Sequence, residues 1–160
     1  MFDENAAGRL FAFFEGLLKF YREFLKVEQD KLRDLQAGRL DRLNARMKQE
    51  QARVLKARGL ERERRGLLAE LKAPEKRFRE LIGLFPPQRR EPMRALYGEL
   101  SSVLLDLRET NRACNRLAKK KLARASVVLE RLQNDPELRR IYSDKPGRET
   151  PAAGLLSKKI

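Results

Sequence analysis

The chain has 160 residues, which is the size of a single domain. Its 37 Lys and Arg against 23 Asp and Glu give a formal net charge of +14 at pH 7. It has no His and one Cys, which excludes catalysis by a His base, an intrachain disulfide and a structural zinc site, so we expect no metal and no other cofactor.

The N-terminal segment lacks the features of a secretory signal. Asp3 and Glu4 stand where such a signal has basic residues, and Glu15 interrupts the apolar stretch 10–14. No run in the sequence approaches the ~20 apolar residues that a membrane-spanning helix needs. We therefore expect a cytoplasmic protein that does not insert into a membrane.

The first predicted helix covers residues 6–37 and is rich in aromatic residues. Six of the eight Phe lie between positions 2 and 24, more than one narrow helix face needs. Most are predicted to be core. The surplus could form a groove for a partner's amphipathic helix or a dimer face. The candidate groove residues, which recur at helical spacing, are Phe13, Leu17, Phe20 and Phe24.

A turn at Gly38 separates the first helix from a second one, predicted over residues 39–72. Glycine is common just past a helix end, and so short a connection makes the two helices antiparallel neighbours. Counted from this turn, Glu28 falls opposite Lys48, and the two could form an ion pair across the hairpin.

The Pro residues that follow predict a short helix over 75–84 and a third long helix over 90–134. The third helix has the most regular pattern: its repeated positions span 36 residues in ten steps, a mean of 3.6, which is the α-helical period. Counting the short helix, this is the fourth predicted helix, α4, and we call these positions the α4 stripe: Leu96, Leu100, Val103, Leu107, Asn111, Cys114, Ala118, Leu122, Ala125, Leu129 and Leu132.

Two asparagines stand near the centre of this helix, and a lone thiol lies between them. Asn111 and Asn115 could fix the register of helix packing, as polar residues at helix interfaces do, or could contact a partner. Cys114 lies on the stripe itself, which indicates a buried, unreactive thiol.

The excess of positive charge is concentrated along the same helix. Residues four apart are neighbours on a helix surface, so five of these cations form a continuous row. The row could bind phosphates of a nucleic acid, dock an acidic partner, or be a solvated face. We call it the basic ridge: Arg108, Arg112, Arg116, Lys120 and Arg124.

Residues 135–160 carry Pro, Gly, Ser and Thr and show no apolar stripe. We predict a flexible C-terminal tail after a helical domain over 1–134. No alternating strand pattern occurs. The predicted fold is therefore an elongated antiparallel all-α bundle of three long helices, with a short connecting helix and this tail.

Three motifs together resemble a known family. One is the stretch 107–115, in which a leucine precedes two asparagines, and another is the stretch 141–147, which contains a tyrosine and ends in a glycine. The third runs through the hairpin: Glu28, Gln29, Leu32, Leu35, Gly38, Leu40, Leu43, Lys48, Leu60, Glu61, Arg64 and Leu67. Their order and spacing over about residues 15–147 resemble the FlgN family.

The resemblance implies a cytoplasmic chaperone of flagellar type III export. Such a chaperone binds the hook–filament junction proteins FlgK and FlgL, prevents their premature assembly and delivers them to the export gate. The resemblance also implies that the chaperone docks to the gate through Tyr142, with Gly147. It implies that the protein has no enzymatic activity and no small-molecule substrate. Two alternatives stay open: a basic helical nucleic-acid-binding protein and a self-associating coiled-coil adaptor.

Overall fold

The computed structural model describes residues 1–143 of the chain. In that range the chain forms helices and no strand, which confirms the all-α prediction. The elements are α1 (Glu4–Gln36), a 3₁₀ turn (Leu40–Arg42), α2 (Leu43–Glu70), α3 (Phe78–Ile82), α4 (Pro87–Asn134) and α5 (Pro136–Ser143). None of these helices combines the length and the apolar run that crossing a membrane requires.

The chain divides into two compact units. The first unit covers Met1–Ala118 and the second Lys119–Ile160. The continuous period of the α4 stripe gave no sign of this division, because a helix can keep its period while its packing partners change.

Local signals at both ends determine the bounds of α1. At its start the Asp3 carboxylate accepts a hydrogen bond from the Ala6 N–H at 2.7 Å, an N-cap. At its end Gly38 has φ +70°, and the next N–H, that of Arg39, donates to the Asp34 carbonyl at 2.9 Å. This is a Schellman motif, and it confirms the predicted turn at Gly38.

Helix α2 ends in the same motif without a glycine. Lys72 has φ +55°, and the Ala73 N–H donates to the Leu68 carbonyl at 2.9 Å. Leu68 and Ala73 are both buried in the core, the apolar contact that accompanies this motif. The helix therefore stops at Glu70, two residues before its predicted end.

The short third helix begins three residues later than predicted. Glu75 has φ +62°, a left-handed conformation that cannot open a right-handed helix. α3 starts only at Phe78, where the Glu80 carboxylate accepts the Arg77 N–H at 2.7 Å and caps it.

The core of the first unit lies where α1 begins, α2 ends and α4 begins. Phe2 anchors the N-terminus there: its N–H donates to the Leu84 carbonyl at 2.7 Å, and its ring meets Phe85 edge-on. The fully buried apolar residues of this core are Ala7, Leu10, Phe14, Leu68, Leu81, Phe85 and Met93. Burial of these side chains is the main favourable term that holds the helices together.

The α4 stripe is covered unevenly. In the first unit Leu96, Leu100 and Cys114 are buried, whereas Ala118 is exposed. In the second unit Leu122 is 48% exposed. The period of a stripe predicts which face of a helix can be buried, but a neighbouring element must reach that face to bury it.

Part of the predicted tail is helical. α5 covers Pro136–Ser143, and the Asp135 carboxylate accepts the Glu137 N–H at 3.0 Å. An Asp followed by Pro is a common helix start, because the side chain caps the first turn and Pro is favoured at the first helical position. Within the range 135–160 that was predicted as a flexible tail, these eight residues form a helix.

Candidate functional site

An apolar groove of about 370 Å³ opens beside α2 and α4 in the first unit. Phe24 of α1 is buried and lines it, together with Leu107 of α4. Val54 of α2 and Leu104 of α4 line it with side chains that are 37% and 40% exposed. We call this feature the α2–α4 groove. Leu104 and Leu107 share one face because residues three apart on a helix are neighbours.

Two unpaired cations line the same groove. Arg108 and Arg112 lie one helical turn apart, are exposed, and form no ion pair with any residue of the described range. The groove also contains Glu50, but its carboxylate is bound to the Lys31 ammonium at 2.8 Å. The charge that remains available to a ligand is therefore positive.

A buried polar cluster adjoins the groove and joins α1, α2 and α4. The Lys31 ammonium lies 2.9 Å from the Glu28 carboxylate and 2.8 Å from that of Glu50. The Asn111 amide donates to Glu28 Oε2 at 3.4 Å, and Cys114 Sγ donates to the Glu28 carbonyl at 3.7 Å. Glu28 itself is 0% exposed. We call these five residues the buried polar cluster.

The electrostatics of the cluster follow from two carboxylates sharing one ammonium. Burial raises the pKa of Glu28, and hydrogen bonds from Lys31 and Asn111 offset this only in part. Glu28 Oε1 has no hydrogen-bond partner among the described residues. Burial lowers the pKa of Lys31, but its bonds to Glu50 and Glu28 outweigh that effect and leave the pKa raised, so the lysine stays charged.

The predicted pairing of Glu28 with Lys48 is wrong. Lys48 is exposed, and the hairpin is bridged by Lys31 and Glu50 instead. Other contacts of the hairpin, Arg53 with Glu23 at 3.0 Å and Arg46 with Asp30 at 3.8 Å, match the count from Gly38, so the count alone does not select which charges pair.

A second bridge between α1 and α2 lies nearer the turn. Asp34 is buried, and its carboxylate accepts a hydrogen bond from Arg46 Nε at 2.9 Å. That hydrogen bond lowers the pKa of Asp34. Together with the buried polar cluster, it places ionic contacts at the turn end of the hairpin, whereas the apolar core lies at the other end.

Comparison with models of known protein families assigns the chain to a family. The family model described as FlgN protein matches residues 1–150 of the chain. The chain belongs to the FlgN family. FlgN proteins are flagellar export chaperones, and the α2–α4 groove lies in a member of this family. No curated protein and no solved structure matches the chain at a significant level.

In this FlgN chain, the four predicted groove residues of α1 lie in different surroundings. Phe13 and Leu17 are partly buried against the core. Phe20 is buried, and its ring is covered by the cations of Arg53 and Lys56, at 5.9 and 5.4 Å from the ring centre. Phe24 is therefore the one predicted residue that lines the α2–α4 groove.

The basic ridge is exposed along its length but belongs to both units. Arg108, Arg112 and Arg116 lie in the first unit, and Lys120 and Arg124 lie in the second. The structure thus places two of the five ridge residues at the α2–α4 groove.

The remaining predicted residues fall into two groups. Asn111 lines the groove and joins the buried polar cluster, and the Asn115 amide donates to Asn111 Oδ1 at 3.3 Å. Tyr142 lies in α5, and Gly147 lies outside the described residues.

The sequence analysis missed Val54 and Leu104, which line the groove. Neither belongs to the regular stripes from which the core was predicted, and α2 is polar through its middle. Only the position of α2 against α4 identifies them, so no pattern within either helix would have selected them.

Proposed function

We propose that this chain is a cytoplasmic export chaperone that binds the hook–filament junction proteins FlgK and FlgL. It prevents their premature assembly and delivers them to the type III export gate. The observation that carries the proposal is the family match over residues 1–150. The chaperone is not an enzyme: it has no small-molecule substrate, and binding and release are its whole activity.

The α2–α4 groove supports this proposal physically. An amphipathic helix can lay its apolar face into a groove that exposes Val54 and Leu104 beside the buried Phe24. A cargo segment that orders only on binding spends several kcal/mol of the interaction on that ordering. The resulting moderate affinity suits a chaperone that must release its cargo at the gate.

A direct binding measurement tests the proposal. Purified chaperone is mixed with FlgK or FlgL and analysed by size-exclusion chromatography with light scattering. We expect a complex with each full-length cargo and none with a cargo that lacks its terminal segments. Absence of a complex with either full-length protein would contradict the proposal.

The same measurement separates the two alternative functions. A nucleic-acid-binding protein that uses the exposed basic ridge would bind an oligonucleotide in preference to FlgK and FlgL. A self-associating adaptor would show a mass that rises with its own concentration. We expect neither result.

The export role is assigned to Tyr142, with Gly147. We expect Tyr142→Ala to leave cargo binding unchanged and to reduce secretion of FlgK and FlgL severalfold. Binding to cargo tethers the chaperone, so a weak second contact at the gate gains effective concentration, and its loss affects delivery alone.

The control for this variant is Ile141→Ala, at the neighbouring exposed position of α5. Secretion of cargo into the culture medium is measured together with the affinity in solution. Normal secretion by the Tyr142→Ala variant would remove the docking role.

A further inference from the structure

We propose that the α2–α4 groove selects an amphipathic helix that carries acidic side chains along one edge of its apolar stripe, with those carboxylates pairing to Arg108 and Arg112. The inference rests on the proposed function, in that the helix belongs to the cargo. It goes further in naming the surface that binds cargo and the chemistry that the cargo must present.

The α2–α4 groove exposes apolar side chains to solvent. Val54 and Leu104 line the groove with 37% and 40% of their surface exposed, and Phe24 and Leu107 line it with them. Covering such side chains removes apolar surface from water, which favours binding. An apolar furrow between two neighbouring helices fits one face of a third helix.

The two arginines that line the groove provide positive charge for a ligand. Within residues 1–143 neither Arg108 nor Arg112 has an ion-pair partner. The two lie one helical turn apart, so their spacing matches that of two carboxylates one turn apart on a bound helix. A second cavity, of about 310 Å³, lies between α1 and α4. Across it Arg22 is paired with Glu99, and the other charged residues that line it, Glu15 and Lys19, have opposite signs, so this cavity offers a ligand no net charge.

Charge also disfavours two other occupants. A second copy of the chain carries +14, so two copies repel each other. The chain's own residues 144–160 contain four Lys and Arg against two Asp and Glu, a net charge of +2. Both have the same sign as Arg108 and Arg112, whereas an acidic helix is complementary to these cations.

A charge reversal tests the inference. The double variant Arg108→Glu and Arg112→Glu is titrated with purified FlgK and FlgL in a calorimeter at low salt. We expect binding to weaken by at least about tenfold, since like charges then face each other across the interface.

The matched control reverses Lys76 and Arg79 to Glu. Both are exposed and lie outside the groove, and the change in net charge is the same. We expect the control to bind like the wild type. Equal weakening in both variants would show a general charge effect and overturn the inference.

An apolar pair of variants tests the groove itself. Leu104→Ser removes a groove residue, while Leu105→Ser changes its neighbour, which is 53% exposed and does not line the groove. We expect about tenfold weaker binding for Leu104→Ser and near wild-type binding for Leu105→Ser, with equal helix content by circular dichroism. Equal affinities would overturn the inference.

Crosslinking identifies the occupant. A benzophenone maleimide is attached to an Arg116→Cys variant, one turn beyond Arg112, where the exposed new thiol reacts and the buried Cys114 does not. We expect the crosslinked FlgK or FlgL peptide to contain an apolar helical stripe flanked by Asp or Glu. A peptide without acidic residues would overturn the inference.

The possible failures are distinguishable. If wild-type chaperone binds FlgK or FlgL but the groove variants bind equally well, the groove inference is wrong and the proposed function stands. If the wild type binds neither protein, the proposed function and the inference both fail.

Discussion

At the scale of single residues, Lys72 is in an unusual conformation. It ends α2 with φ +55°, in the position that Gly38 occupies at the end of α1 with φ +70°. A side chain in the left-handed region costs about 1–2 kcal/mol, and glycine avoids most of that cost. The α2 end therefore carries a strain that the α1 end does not.

We expect Lys72→Gly to raise the free energy of unfolding by about 1 kcal/mol, measured by urea denaturation. The control is Lys76→Gly, in the same loop but without a positive φ, where glycine adds only unfolded-state entropy and should destabilise by a few tenths of a kcal/mol. If both substitutions lower stability, the left-handed strain at Lys72 is not released by glycine.

Glu28 predicts a pH dependence. Burial raises its pKa in the folded state above the ordinary value, so the folded protein binds this proton more tightly than the unfolded chain does. The stabilisation that comes from binding this proton is present at acidic pH and is lost as the pH rises through the raised pKa of Glu28. As the pH rises over this range, we expect the free energy of unfolding of Glu28→Gln to increase relative to that of the wild type, because Lys31 keeps Glu50 as a partner.

This prediction is checked by urea denaturation of both proteins from pH 4 upward. The control is Glu63→Gln, at an exposed position of α2 without an ion pair in the described range. If the free energy of unfolding of Glu28→Gln instead falls relative to that of the wild type as the pH rises, pairing of Glu28 with Lys31 dominates over its burial.

At the scale of elements, α4 shows how far a helical period determines packing. Leu100 and Leu122 occupy equivalent positions of the α4 stripe, but Leu100 is buried and Leu122 is not. Equivalent positions in the sequence pattern thus differ in what they contribute to stability.

We expect Leu100→Ala to destabilise the protein by about 3 kcal/mol, because it removes buried methyl groups and leaves a cavity. The matched control, Leu122→Ala, removes the same atoms from an exposed site and should change stability by less than about 0.5 kcal/mol. Thermal unfolding of the two variants measures both effects. Similar losses would mean that a neighbour covers Leu122 in solution.

At the scale of the whole molecule, the charge of +14 makes salt a discriminating variable. Binding that releases counterions from nucleic acid weakens steeply with salt, by roughly a thousandfold between 50 and 200 mM when six phosphates are contacted. Capture of a cargo helix depends on apolar burial plus two Arg pairs, and only the pairs are screened.

We therefore expect the affinity for FlgK or FlgL to fall by no more than about tenfold over that salt range, measured by calorimetry. A random duplex oligonucleotide serves as the comparison ligand. A cargo affinity that falls as steeply as that of the oligonucleotide would indicate binding through charge alone.

The sequence determined the features that depend on neighbours within a few residues. The helical period, the Asp3 cap and the Gly38 turn act through hydrogen bonds and contacts three or four positions apart, so their signals lie within single segments. The cap at Asp135 was equally local, and it could have been found from the Asp-Pro pair.

Only the tertiary structure decided which residues meet across helices. Asn111 reaches Glu28 over 83 positions of sequence, and the α2–α4 groove needs Val54 and Leu104 to lie on facing helices. The ion pair between Lys31 and Glu50 likewise joins residues of α1 and α2 that no pattern within either helix pairs. Such arrangements arise from packing between distant segments, and the period of each helix does not contain that information.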